Sequence, residues 1–216
     1  MIKAAIFDMD GLLIDSEPIW TEAATEVMQK VNFQLTHDLK LQTTGLSIKL
    51  FLEFCYRIQP WNTPSRDELE QEILTIATRN IIAQAQPMPG ALALVKSLHD
   101  QKLKLAVASA SPMELIEAVL RRLEIVDYFE TWHSGELEQH TKPHPAVYIT
   151  TAAKLGIPPH ECIAFEDSFT GLRSAHAAKM ITICVPNAEV YDDPKFDLAH
   201  YKLRSLEEFN ILSVGV

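Results

Sequence analysis

The sequence predicts an α/β protein: a doubly wound, Rossmann-like parallel sheet carrying a small inserted helical domain. Three observations predict it. Short, near-continuously apolar runs at about 3–7, 104–108, 162–165 and 181–185 have the character of strands covered on both faces. Helical patterns alternate with these runs through the second half of the chain, as crossover connections between parallel strands require. Between the first and second runs lies a long stretch with helical periodicity and no clear strand.

The first strand gives way at Asp8, Met9, Asp10 and Gly11. Acids at the end of a buried strand occupy the edge where α/β proteins place their chemistry, although acids there also serve ordinary turns. Helical spacing follows at Ile19, Ala23, Val27 and Val31, across 50–58, and at Leu69, Ile73, Ile76 and Ala77. Residues 16–87 therefore read as a separate helical domain set into a core formed by 1–15 and 88–216. Its two crossings are 15–18 and 87–90; the second, Pro-Met-Pro-Gly, stops a helix and stiffens a linker.

Leu94, Val95 and Leu98 give one face to a helix over 91–101, and the next strand ends at Ser109. Ser111 and Pro112 read as the N-cap and first-turn proline of a helix over 113–123. Pro145 opens a helix that Gly156 closes. Glu166, Asp167 and Ser168 follow the third apolar run and either cap the helix holding 171–178 or bring acids to a site.

With 216 residues, 47% hydrophobic and 22% charged, the chain suits a soluble globular protein with a substantial core. A net charge of -10 without a basic stripe argues against nucleic acid. It is compatible with a small phosphorylated substrate, because a bound metal and one lysine reverse the potential inside a cleft. No apolar stretch is long enough to span a membrane, and a first strand beginning at about residue 2 leaves no room for a signal peptide, so the cytoplasm is expected. Cys55, Cys162 and Cys184 lack metal-ligand spacing and are expected to be buried thiols. Trp20, Trp61 and Trp132 read as packing anchors, with Trp20, early in the first inserted helix, the one that could face a substrate. His144, between two prolines, reads as local packing or rim.

Asp8 with Asp10, Ser109, Lys142 in His140-Thr141-Lys142-Pro143-His144-Pro145, and Glu166-Asp167 are far apart in sequence. A parallel sheet would gather them along one edge. This ordered set resembles the four signature segments of the haloacid dehalogenase-like superfamily, phosphatase branch, and the resemblance covers essentially the whole chain. It implies a magnesium-dependent phosphatase of small sugar phosphates, namely hexitol phosphates and hexose 6-phosphates such as 2-deoxyglucose 6-phosphate, working through an aspartyl phosphate. Asp8 would be the nucleophile and Asp10 the general acid and base. The Asp8 and Asp167 carboxylates and the Asp10 carbonyl would hold Mg2+, with Glu166 behind them or as a further ligand. Ser109 and the Ala110 amide would bind a phosphoryl oxygen, Lys142 would neutralise charge, and Gly11 would let the chain turn. The inserted domain would be a cap that closes over the site, and a capped monomer is expected.

Three other functions stand beside this one. A halide-removing member of the superfamily typically lacks the second acid, present here as Asp10. A sugar phosphomutase of the β-phosphoglucomutase kind shares every core residue, but its cap-loop glycine is followed three residues on by an arginine that grips a second phosphate. Here Gly45 is followed by Leu46, Ser47 and Ile48, with Lys49 one residue beyond. A silent binding module would lack one of Asp8, Asp10, Lys142 or Asp167, and none is missing.

Overall fold

The computed structural model describes residues 2–43 and 46–214, so Gly45 lies outside the described residues. The chain divides into two compact units, one of Met1–Asp15 with Gln86–Val216 and one of Ser16–Ala85.

In the smaller unit, all regular structure among the described residues is helical: α1 (Glu17–Met28), α2 (His37–Thr43), α3 (Ile48–Ile58) and α4 (Arg66–Gln84), with a short 3-10 turn after α1. Leu69, Ile73, Ala77 and Ile81 recur every fourth residue and form the buried stripe of α4, while Ile76 is half-buried on its flank. The α4 helix packs against α1, which buries Ile19, Ala23 and Val27, and against α3, which buries Phe51, Leu52 and Cys55. Each such side chain contributes about 1.5–3 kcal/mol by leaving water. The helix starts are written locally. Ser65 accepts from the Glu68 amide at 3.2 Å while Glu68 accepts from the Ser65 amide at 2.8 Å, and Ser47 accepts from the Leu50 amide at 3.4 Å. Trp61 donates to the Pro64 carbonyl at 3.0 Å and meets Tyr56 edge-on, a local anchor.

The larger unit is built on six parallel strands: β1 (Ala4–Phe7), β2 (Lys104–Ser109), β3 (Thr131–Ser134), β4 (Cys162–Glu166), β5 (Ile181–Cys184) and β6 (Tyr201–Lys202). Their order is β3-β2-β1-β4-β5-β6. The chain winds outward from β1 to β3, then crosses to the far side of β1 to lay down β4. The switch point between β1 and β4 is where this topology opens a crevice at the strand C-termini. The apolar runs expected from sequence correspond to β1, β2, β4 and β5. The edge strands β3 and β6 were not anticipated: Thr-Trp-His-Ser is half polar and β6 has two residues, so neither carries the signal of a strand covered on both faces.

Four helices flank the sheet: α5 (Ala91–Asp100), α6 (Met113–Arg122), α7 (Ala146–Leu155) and α8 (Phe169–Ala177). Phe7 and Phe165 stack at 4.7 Å across the β1–β4 pair, and a cluster including Ile6, Ala164, Val147 and Tyr148 fills the space beneath α7. As expected, Pro145 opens α7 and Gly156 ends it in the left-handed conformation, while Ser168 caps α8. One expectation fails. Ser111 does not cap α6: Pro112 holds that position without a side-chain bond, and the Met113 amide donates instead to Glu136 at 3.2 Å. The two crossings run side by side, with the Asp15 amide donating to the Gln86 carbonyl and the Met88 amide to that of Leu13. Cys55, Cys162 and Cys184 are buried and unpaired, and burial pushes the first two thiols up to about 12. No helix among the described residues is long and apolar enough to cross a membrane.

Candidate active site

Strand register decides which groups meet at the switch point. Phe7 is level with both Val107 and Phe165, so Asp8, Ala108 and Glu166 emerge together at the next step. The Asp8 amide donates to the Phe165 carbonyl at 2.9 Å, which ties the start of the loop to β4. Gly11 then adopts a φ of +74° and donates to the Ile14 carbonyl, closing a tight turn that a side chain would strain.

Lys142 reaches into this level from the loop before α7. Its ammonium donates to Asp8 Oδ1 at 2.6 Å, Glu166 Oε1 at 2.7 Å and the Ala108 carbonyl at 3.0 Å, which uses all three of its protons. Glu166 is fully buried and accepts twice more: the Tyr148 hydroxyl donates to Oε1 at 2.5 Å and Ser168 to Oε2 at 3.3 Å. Its carboxylate lies over the first turn of α8, where the helix N-terminus favours negative charge. Gly171 makes that seat possible, because a Cβ there would fall 1.9 Å from Glu166 Oε1.

The electrostatics follow from burial. Loss of water is the largest influence on Asp8 and raises its carboxyl to about 8; Lys142 pulls it down, while Glu166 and Asp10 push it further up. Burial alone would depress Lys142, but Asp8 and Glu166 outweigh it and hold the ammonium above its usual value. Burial and the adjacent carboxylates keep Tyr148 a neutral donor.

Beside this group stands a second cluster. Asp10 Oδ2 accepts from Ser111 Oγ at 2.6 Å and from Ser109 Oγ at 3.4 Å, and Ser109 Oγ accepts the Ser111 amide at 3.0 Å. Ala110 is exposed immediately beyond β2. The oxygens of Asp8, Glu166 and Asp167 lie within 4.8 Å of one another. Three carboxylates against one lysine, offering only hard oxygen donors, suit a divalent cation.

The structure thus brings together Asp8, Lys142, Glu166 and Asp167, and joins Asp10 to Ser109. Sequence reasoning missed Tyr148, which sits among the apolar positions of α7, and Ser111, which looked like a cap. His144 is exposed at the start of α7, accepting from the Ala146 amide at 3.3 Å. Trp20 is half-buried on α1, Trp132 is half-buried on β3 and Lys49 is exposed in the first turn of α3.

Comparison with known proteins agrees with this geometry. Hexitol phosphatase B from Escherichia coli is 42% identical over 209 residues, covering 96% of this chain and 94% of that protein. Among solved structures, β-phosphoglucomutase from Clostridium difficile superposes with a TM-score of 0.84 at 23% identity, covering 99% of this chain and 96% of that one, which speaks for the fold alone. CbbY from Rhodobacter sphaeroides, solved in complex with phosphate, gives a TM-score of 0.84 at 25% identity over 96% of both chains. The family profile for haloacid dehalogenase-like hydrolases matches residues 2–179, so the chain belongs to the haloacid dehalogenase-like hydrolase family.

Proposed function

We propose that this hydrolase is a magnesium-dependent phosphatase of small sugar phosphates, hexitol phosphates and hexose 6-phosphates foremost, acting through a phosphorylated Asp8. The observation that carries the reading is Lys142 joining Asp8 to Glu166 in a buried cluster beside the half-buried Asp167. The 42% identity to hexitol phosphatase B supports the choice of substrate class.

Asp8 must be ionised to attack, and Lys142 is the protein group that draws its carboxyl downward. Magnesium, held by the Asp8 and Asp167 carboxylates and the Asp10 carbonyl, would supply the positive charge that lets one anion approach another. Glu166, committed to Lys142, Tyr148 and Ser168, anchors the lysine. In the first step an Asp8 oxygen bonds to phosphorus, the ester P–O bond breaks, and the departing sugar oxygen takes its electron pair and a proton from Asp10. In the second, Asp10 removes a proton from water as that water attacks phosphorus and Asp8 leaves as a carboxylate. The Ser109 hydroxyl and the Ala110 amide hold the transferring group's oxygens.

The test is phosphate release from hexitol phosphates, hexose 6-phosphates, glycerol phosphates and nucleotides, each with and without magnesium. The highest kcat/KM is expected on hexitol or hexose phosphates, only with the metal. A preference for nucleotides would overturn the substrate class; conversion of one sugar phosphate into another without free phosphate would overturn the hydrolytic reading.

A further inference from the structure

We infer that Ser111 is a positioning residue for the proton transfers assigned to Asp10, an inference that rests on the phosphatase reading above. Its place in the sequence, ahead of a proline and a helix, is that of an N-cap, yet the structure releases it from that duty. Glu136 satisfies the Met113 amide at 3.2 Å, and the Ser111 hydroxyl turns to Asp10 Oδ2 at 2.6 Å. Ser109, the serine the family pattern points to, is the more distant donor on the same oxygen, at 3.4 Å.

Ser111 is also held on both sides. Its amide donates to Ser109 Oγ at 3.0 Å, and its carbonyl accepts from Ser134 Oγ at 2.7 Å. Ser134 is fully buried at the end of β3 and is itself oriented by the Glu136 amide at 3.1 Å. The neighbouring strand thus holds the backbone of Ser111 in the place from which its hydroxyl reaches Asp10 Oδ2. A hydroxyl donating to a carboxylate is among the stronger hydrogen bonds of a folded protein.

The chemical consequence is orientation. A donor on Oδ2 fixes the plane of the Asp10 carboxyl and makes Oδ2 the accepting oxygen, so the transferable proton travels on Oδ1. As the ester P–O bond breaks, its electron pair passes to the leaving oxygen, the Oδ1–H bond breaks, and the proton joins that oxygen. Water's proton returns to Oδ1 in the second step.

Such a role has a signature that general loosening of the loop lacks. A sugar alkoxide needs a proton to leave, whereas p-nitrophenolate does not. Ser111→Ala is expected to lower kcat/KM, which reports the step that expels the leaving group and not the hydrolysis of phospho-Asp8 common to both esters, about tenfold more for a hexitol phosphate than for p-nitrophenyl phosphate. Asp10→Asn should show the same selectivity to a larger degree, and adding Ser111→Ala to it should not alter the ratio further. The isosteric pair Ser111→Thr and Ser111→Val provides a second comparison, in which only the hydroxyl-bearing variant keeps the parent ratio. Equal losses on both esters for Ser111→Ala and Ser111→Val, while Asp10→Asn remains selective, would overturn this inference and leave the phosphatase reading standing. If Asp10→Asn were itself unselective, the assignment of Asp10 as proton donor would fall, and this inference with it.

Discussion

Among the described residues, the helical unit Ser16–Ala85 buries one polar side chain, Ser16, whereas the α/β unit buries Asp8, Lys142 and Glu166 in mutual contact. The helical unit keeps its charges outside, in exposed pairs such as Lys30 with Glu72 and Arg57 with Glu53, which contribute little. Its stability comes from stripes and caps. At the edge of β1 and β4 the chain accepts the desolvation of three ionisable groups, a cost that well-packed apolar residues would avoid. The difference teaches where selection for chemistry has overridden selection for stability. Ordinary core packing does not call for a lysine locked between two carboxylates.

The largest effect should come from breaking that lock. Lys142→Met leaves Asp8 and Glu166 buried without their cation, and is expected to lower unfolding free energy by about 3–5 kcal/mol in urea titrations at neutral pH. The same change should reduce kcat at least about a hundredfold through lost electrostatic stabilisation. A stable, active Lys142→Met protein would break the comparison between the units.

A second prediction concerns pH. Because burial raises the Asp8 carboxyl from 3.8 to about 8, the folded protein retains a proton there that the unfolded chain has released. More protons on the folded state mean that stability falls as pH rises across this interval, so this group makes the metal-free protein progressively less stable from pH 3.8 towards 8. Magnesium requires the ionised carboxylate, so the gain in Tm on adding it should grow with pH over the same range. Thermal melts with and without the ion measure both trends, and a magnesium gain that shrinks with pH contradicts the assignment.

The smallest effect belongs to the helical unit. Ser65→Ala removes the capping box of α4 and should cost about 1 kcal/mol while leaving kcat and magnesium affinity as they were. A loss of turnover comparable to that of Lys142→Met would sharpen the picture in the other direction, by giving the helical unit a share of the chemistry.

Legibility in sequence followed the same physical division. The doubly wound core could be read because β1, β2, β4 and β5 are covered on both faces and therefore spell continuous apolar runs. Edge strand β3 could not be, since Thr131 and Trp132 are only half-buried and the polar His133 and Ser134 complete the four-residue strand, leaving no continuous apolar run. Asp8, Asp10, Lys142 and Asp167 were visible as an ordered set of charged residues after strand ends. Tyr148 was not, because a tyrosine on an apolar helix face reads as core until its hydroxyl is seen against Glu166. Ser111 was misread for a related reason. Capping is decided by which acceptor reaches the helix amides, and Glu136, brought near through the β2–β3 pairing, is distant in sequence.

The central claim is that the Asp8 side chain carries the phosphoryl group between substrate and water. Quenching the enzyme during turnover of a hexitol phosphate with magnesium, then reducing with borohydride, converts an acyl phosphate to the alcohol. Mass spectrometry of the peptide spanning β1 should then find homoserine at position 8 and none at position 10. Unaltered aspartate at position 8 under conditions where phosphate is being released, or reduction at another acid, would contradict the account.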